Sequence, residues 1–270
     1  MHNSFIIQVL DNRFEKISRS HQSLLKNFEP EEVHAFRVQM KKLRAFIRLL
    51  NAGLPLTVHL NMTEKIKSVY HITGTIRNLQ LHKKRITGIC EEVSLLLPSA
   101  YLQHLQEEEN HQRKKAEKAG KNISFGHFKK RLGKQIAENG EIDAAQSFTL
   151  QKIARLYVLM ALPAHSDDAL HEVRKILKDL LYDRIYIGPY LQTIWPEHAE
   201  TIEPLAQKLG EFQDWFASVQ LMNEIGSGLK QQEEKNSLFF IQQEFQRRKE
   251  AVRQQILQAF QEIHPEQKMV

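Results

Sequence analysis

Cysteine is almost absent from this chain of 270 residues, which contains a single one, Cys90. One cysteine cannot form an internal disulfide, so nothing in the sequence points to an oxidising compartment. The N-terminal segment lacks a basic region followed by an apolar core, and we expect no signal peptide. No apolar stretch approaches the ~20 residues that a membrane-spanning helix requires. These absences predict a cytoplasmic protein without a membrane span.

Glycine and proline are also scarce, with 11 and 8 residues respectively. Long stretches therefore run without a helix breaker, while a hydrophobic content of 41% is typical of a globular protein. Apolar residues recur at helical spacing, and no stretch alternates at period two. We predict an all-α protein with helices near 4–27, 30–52, 57–73, 75–94, 99–119, 124–138, 145–161, 166–187, 190–209 and 212–264. The last helix should break near Gly226 or Gly228.

Familiar catalytic and metal-binding motifs are missing as well. The chain has no HExxH, no CxxC pair, no GxxxxGK[ST] loop and no GxSxG elbow. The segment from His165 to His171 contains two aspartates and could suggest a metal site. A helix start explains it better, with Ser166 as N-cap and Asp167 and Asp168 near the positive helix end. We therefore predict no metal, no cofactor and no catalytic residue.

What the sequence does contain is a helix with one purely basic face. At ~100° per residue, a single stripe collects the side chains of His34, Arg37, Lys41, Arg44 and Arg48. The opposite side is apolar and should face the core. Like charges three or four residues apart on a helix repel each other by ~0.2–0.5 kcal/mol per pair. Such a stripe suits an extended polyanion, to which arginine offers forked contacts and lysine a mobile charge.

The same pattern occurs a second time. His171, Arg174 and Lys178 repeat the spacing of His34, Arg37 and Lys41, with Lys175 beside them. Downstream, the segment 74–79 pairs with the segment 210–215 at nearly the same separation. We predict an internal duplication within one domain of 1–270, whose helical halves span 1–138 and 139–270. Each half has the size of a small antiparallel bundle of four or five helices.

A third basic face lies on the predicted helix 124–138. It comprises His127, Lys130, Arg131 and Lys134, at positions i, i+3, i+4 and i+7. Either this helix completes the binding site or it is a connector with a solvated basic face. The sequence leaves both interpretations open.

Two segments resemble a known family. VHAFRVQMKKLRAFIRLL and ALHEVRKILKDLLYDRIYI are similar to the signature segments of the CHAD family, the conserved histidine α-helical domain. The resemblance implies two four-helix bundles related by a pseudo-twofold axis, with inorganic polyphosphate bound in a basic pore or groove between them. It also implies a stand-alone member, since no acidic β-rich domain of the CYTH type is present. By this resemblance the ligand residues are His34, Arg37, Lys41, Lys42, Arg44, Arg48, His171, Arg174, Lys175 and Lys178.

The function that we predict is non-catalytic binding of inorganic polyphosphate or a similar extended polyanion. The expected location is the cytoplasm, including polyphosphate granules. One alternative is a phosphatase or polyphosphate-processing enzyme, although no paired carboxylate accompanies His34 or His171. Another is nucleic-acid binding, which is disfavoured because Tyr182 is the one aromatic residue on either stripe. Affinity should rise from pH 8 to 6 as the histidines take up protons, while lysine and arginine stay charged.

Overall fold

The fold is all-helical, as the sequence predicts. A computed structural model describes residues 2–121, 123–139, 143–197, 200–225 and 232–263. Within these ranges there are nine helices and no strand. The helices are α1 (Asn3–Asn27), α2 (Pro30–Asn51), α3 (Glu64–Val93), α4 (Ser99–Gly120), α5 (Phe125–Glu138), α6 (Ala145–Met160), α7 (Asp167–Ile194), α8 (Ile202–Ile225) and α9 (Gln232–Ile263).

Local sequence signals explain where the two basic helices begin. Pro30 occupies the first turn of α2, where its missing N–H loses no helical hydrogen bond. At α7 the Ser166 hydroxyl accepts a hydrogen bond from the backbone N–H of Ala169 at 3.1 Å, which confirms the predicted N-cap. Asp167 does more than favour the helix dipole, because it also forms ion pairs with Lys249 and Arg253 of α9. These pairs hold α9 against the start of α7.

The predicted division of α3 is wrong. Instead of two helices separated at 73–75, a single helix begins at Glu64 and passes through Gly74 to Val93. The start is also later than predicted, because the Thr63 side chain caps the helix by accepting from the N–H of Ile66 at 3.4 Å. Gly74 therefore does not terminate a helix. It leaves space for the Arg37 side chain of α2.

Two further predicted boundaries are wrong, and the reason is tertiary packing. Helix α7 continues through Pro189 to Ile194, because Ile187 and Leu191 on either side of the proline are buried in the core. Helix α8 likewise begins at Ile202 and runs through the predicted break at 209–212. The predicted break near residues 226 and 228 lies outside the described residues, between the end of α8 and the start of α9.

The packing order places the two basic helices side by side. Helix α2 packs on α1, α3 and α7, while α7 packs on α6, α8 and α2. Helices α3 and α8 also touch each other, and α5 packs on α1. One apolar cluster contains residues from both predicted halves, so the halves share a core. The internal duplication itself stays a prediction.

No helix within the described ranges combines the length and the apolar character needed to cross a bilayer.

Candidate functional site

The basic stripes of α2 and α7 open onto the same cavity. This α2–α7 cavity has a volume of about 270 Å³. It is lined by Lys41, Arg44, Arg48, Tyr70, His171, Arg174, Lys175, Lys178, Asp179 and Tyr182. Residues that are far apart in the sequence, and that were predicted from two separate segments, thus share one surface.

Lys41 lines this cavity among other cations. Burial, together with the nearby charges of Arg174 and Arg37, lowers the pKa of Lys41 to about 7, against a smaller opposing effect of Asp214. Burial, followed by the charge of Arg174, also lowers the pKa of Lys178. Within the described residues the Lys41 side chain has no hydrogen bond or ion pair. The cavity therefore contains a lysine that pairs with no acceptor among the described residues.

Arg174 lines the same cavity, and its Nε atom is buried without a hydrogen-bond partner within the described part of the chain. A buried donor without a partner destabilises a fold by about 1–3 kcal/mol, and by more when the group is charged. This Nε atom lies 4.0 Å from the position that a Cβ atom at Gly210 of α8 would occupy.

Arg37 is more deeply embedded than the sequence suggests. Its Nη1 atom donates to the backbone oxygen of Tyr70 at 2.7 Å, and its guanidinium lies 4.6 Å from the centroid of the Tyr70 ring. A Cβ atom at Gly74 would lie 2.7 Å from the same Nη1 atom. Glycine at this position of α3 therefore lets the Arg37 guanidinium pass. Arg37 does not line the cavity, but its charge acts on Lys41.

Alanine substitutions at two glycines of α3 test this close approach. Gly88→Ala should raise the free energy of unfolding by about 1 kcal/mol, because alanine favours a helix interior and the site has open space. Gly74→Ala should lack this gain, since the new Cβ displaces Arg37 and breaks a charge-assisted hydrogen bond of about 1.5–3 kcal/mol. Urea denaturation measures both. Equal stabilisation by the two substitutions would contradict the packing described.

Arg48 lines the cavity but is not a free cation. Its Nε atom donates to Oδ2 of Asp179 at 2.8 Å, and Nη2 contacts Oδ1 of the same carboxylate. Lys152 of α6 donates to the same Oδ2 atom at 2.8 Å. The sequence analysis overlooked Asp179, although it stands where Lys42 stands in the first copy of the repeat. The positive potential consequently comes more from Lys41, Arg174 and Lys178 than from Arg48.

A second carboxylate lies one turn further along α7. Asp183 is fully buried and forms an ion pair of 3.2 Å with Arg13 of α1. Burial raises the pKa of Asp183 to about 7, against the opposing charge of Arg13. Asp183 does not line the cavity, and we assign it a structural role between α1 and α7.

The two histidines of the repeat occupy different surroundings. Nδ1 of His171 donates to Oε1 of Gln213 on α8 at 2.7 Å, which fixes the ring at the cavity wall. His34 is exposed near the start of α2 and does not line the cavity. Desolvation lowers the pKa of His34, followed by the charges of Arg77, Lys41 and Arg37, while Asp214 opposes them. His34 thus lies in the electrostatic field of the cationic cluster without belonging to the cavity wall.

Two charged residues that act on His34, Arg77 and Asp214, were not among the predicted site residues. Arg85 of α3 forms an ion pair of 3.1 Å with Asp214 of α8, and Arg77 donates to the backbone oxygen of Pro30 at 3.2 Å. Arg77 follows Gly74 by one turn, inside the segment that the repeat had singled out. That position was the signal that could have identified it.

Besides His34 and Arg37, five further predicted site residues lie away from the cavity wall. They are Lys42, His127, Lys130, Arg131 and Lys134. The four on α5 are exposed, and Arg131 donates to the backbone oxygen of Asn61 at 2.7 Å. Lys134 lies 3.7 Å from Glu138 on its own helix. The basic face of α5 is therefore separate from the α2–α7 cavity, and its participation in binding stays a prediction.

The comparisons with known proteins agree with this architecture. The sequence profile of the CHAD domain matches residues 8–223, so the chain belongs to the CHAD domain family. The fold is similar to that of PptA from Streptomyces chartreusis, with a TM-score of 0.71 and 16% identity over 96% of this chain and 99% of that one. It is also similar to the CHAD domain from the plant Ricinus communis, with a TM-score of 0.69 and 17% identity over 97% and 91%. A comparison with curated proteins finds no significant sequence match.

Proposed function

We propose that this protein binds inorganic polyphosphate, or a similarly extended polyanion, in the α2–α7 cavity without converting it chemically. The observation that carries the proposal is that the cations of α2 and α7 line one cavity, where Lys41 has no hydrogen bond or ion pair within the described residues. The ligand residues in this proposal are Lys41, Arg44, His171, Arg174, Lys175 and Lys178. Membership of the CHAD family supports the same ligand class.

The charge balance of the cavity wall favours an anion. Asp179 is the one carboxylate among the lining residues, and Arg48 and Lys152 already engage it. An entering anion therefore meets cations and little competing negative charge. It would also relieve the repulsion that lowers the pKa of Lys41, since a negative neighbour favours the charged amine.

The length of the cationic wall favours an extended ligand over a single phosphate. On α2 it runs from Lys41 to Arg48, which spans ~10 Å at ~1.5 Å per residue. On α7 it runs from His171 to Tyr182. A single phosphate could reach a small part of this wall, whereas a chain of phosphates could contact most of it.

Salt-dependent binding is the experiment that tests this function. Titration calorimetry of the wild-type protein with polyphosphate should show an affinity that falls as sodium chloride rises, because cation contacts release condensed counterions. For polyphosphate we predict the direction of this change. Affinity that stays constant from low to high salt would contradict an electrostatic site.

Two other functions make different predictions. A polyphosphate-processing enzyme would shorten radiolabelled polyphosphate in the presence of divalent metal, whereas we expect the chain length to stay unchanged. A nucleic-acid binder would exchange polyphosphate for single-stranded DNA by stacking bases on Tyr70 or Tyr182. Because the guanidiniums of Arg37 and Arg44 already lie over the Tyr70 ring, we expect DNA to compete poorly. The proposed ligand also suggests a location at cytoplasmic polyphosphate granules.

A further inference from the structure

A second basic cavity adjoins the α2–α7 cavity. It has a volume of about 210 Å³, and it shares Arg44, Arg48 and Tyr70 with its neighbour. Beyond these three residues its wall is formed by the C-terminal end of α2, the segment 59–62 and the first turns of α3. We call it the histidine cavity, after the residues that distinguish it: His59, Lys67 and His71.

The charge of the histidine cavity has one sign. Its lining residues include two arginines, one lysine and two imidazoles, and no carboxylate. Lys67 donates to Glu64 at 2.7 Å, but the Glu64 side chain is 87% exposed and the pair lies at the surface. Exposed pairs of this kind contribute little and exchange partners readily. Arg44 has no ion pair within the described residues, and its guanidinium lies 4.9 Å from the centroid of the Tyr70 ring.

The wall of this cavity is held in place before any ligand binds. Asn51, at the end of α2, donates from Nδ2 to the backbone oxygen of Leu60 at 3.0 Å. The backbone N–H of Leu60 donates in return to Oδ1 of Asn51 at 2.8 Å. This pair of hydrogen bonds fixes the segment next to His59 against α2. The Arg131 guanidinium of α5 holds the same segment from the other side, through the backbone oxygen of Asn61.

We propose that the histidine cavity holds the phosphates of a polyphosphate chain that continues past the α2–α7 cavity, and that it selects long chains over short ones. This inference rests on the proposed function and adds a preference for chain length. Arg44 lines both cavities and has no ion pair within the described residues, so it can contact the ligand where it passes from one cavity to the other. Lys67 and the two imidazoles can then donate to phosphate oxygens through charge-assisted hydrogen bonds.

The length of the polyphosphate chain should affect its affinity, because the phosphates of one chain are covalently linked. Once the first phosphates occupy the α2–α7 cavity, the next ones reach the histidine cavity at a high effective concentration. A short ligand that fills the α2–α7 cavity has no further phosphates to place there. The second cavity should therefore strengthen the binding of long chains and leave that of short chains unchanged.

The double variant Lys67→Gln with His71→Gln tests this inference by titration calorimetry. The ligands are tripolyphosphate, long-chain polyphosphate and inorganic phosphate. The matched control is the double variant Lys84→Gln with His104→Gln, which removes an exposed lysine and an exposed histidine that line neither cavity. Thermal melting of both variants checks that the fold is retained.

We expect the Lys67 and His71 variant to bind long chains about tenfold more weakly than wild type, a change of about 1.4 kcal/mol. Its affinity for tripolyphosphate should match that of wild type, and the control should match wild type for both ligands. Unchanged long-chain affinity would overturn the inference, as would an equal loss for tripolyphosphate. Loss of inorganic phosphate binding alone would show a separate anion site and also overturn it. A wild-type protein that binds neither chain would refute the proposed function itself.

Discussion

Replacing Lys41 and Lys178 together by glutamine is expected to weaken polyphosphate binding by about 100-fold or more at low ionic strength. A hydrogen bond to a charged group contributes about 1.5–3 kcal/mol, and two such contacts correspond to this factor. Both lysines line the α2–α7 cavity from opposite helices, and the pKa of each is lowered by burial and by neighbouring cations. The substitution should not unfold the protein, because neither lysine has a hydrogen bond or an ion pair within the described residues.

The matched control is Lys42→Gln combined with Lys84→Gln. Lys42 is the neighbour of Lys41 on α2 but lies outside the cavity wall, and Lys84 is exposed on α3. This variant changes the net charge by the same amount, so its affinity should fall by less than about tenfold, through long-range electrostatics alone. Titration calorimetry compares the two variants. An equal loss in both would mean that total charge, and not the cavity, determines binding.

Polyphosphate affinity is expected to fall by up to about 100-fold as pH rises from about 7 to about 9, at most tenfold per pH unit for one proton. In the empty protein the pKa of Lys41 is about 7, because burial and the charges of Arg174 and Arg37 disfavour the ammonium. A bound polyanion favours the ammonium and raises that pKa. Between the two pKa values binding takes up a proton, so higher pH opposes binding. Well below pH ~7 the amine is charged in both states, and its effect levels off.

Lys41→Arg separates this effect from histidine titration. Arginine stays charged throughout this range, so the variant should bind with a flat profile above pH ~7. His34→Gln should leave that upper part unchanged, because His34 does not line the cavity. Calorimetry in two buffers of different ionisation enthalpy measures the proton uptake directly. A Lys41→Arg variant that keeps the wild-type slope would assign the titration to another group.

The lowered pKa of Lys41 differs from an expectation drawn from the sequence. Lysines were expected to stay charged between pH 6 and 8, which left the histidines as the titrating groups. For Lys41 that expectation is wrong, because nothing in the sequence shows that the cations of α7 lie around it. The pKa of a side chain depends on burial and on neighbours, and both are properties of the packed protein.

The sequence by itself determined the helical class, the two faces of α2 and the start of α7. These features are local, because the side chains on one helix face recur every three or four residues and a cap lies within one turn. The apolar side of α2 confirms this, since Val33, Phe36, Met40 and Leu43 are fully buried. The basic side identified Lys41, Arg44, Arg174 and Lys178 as candidate ligand residues, again from spacing along single helices.

The tertiary structure alone decided which of these charges face one another. Arg48 and Asp179 are distant in sequence, and their ion pair exists because α2 packs on α7. Gly74 and Pro189 resemble helix breakers locally, yet both lie inside helices. At position 74 a glycine leaves the space that the Arg37 guanidinium occupies. At Pro189 the burial of residues on either side outweighs the low helix propensity of proline. The sequence of a basic stripe does not show which helix will pack opposite it. For that reason the sequence left open whether α5 joins the site, and the packing places α7, rather than α5, at the cavity wall.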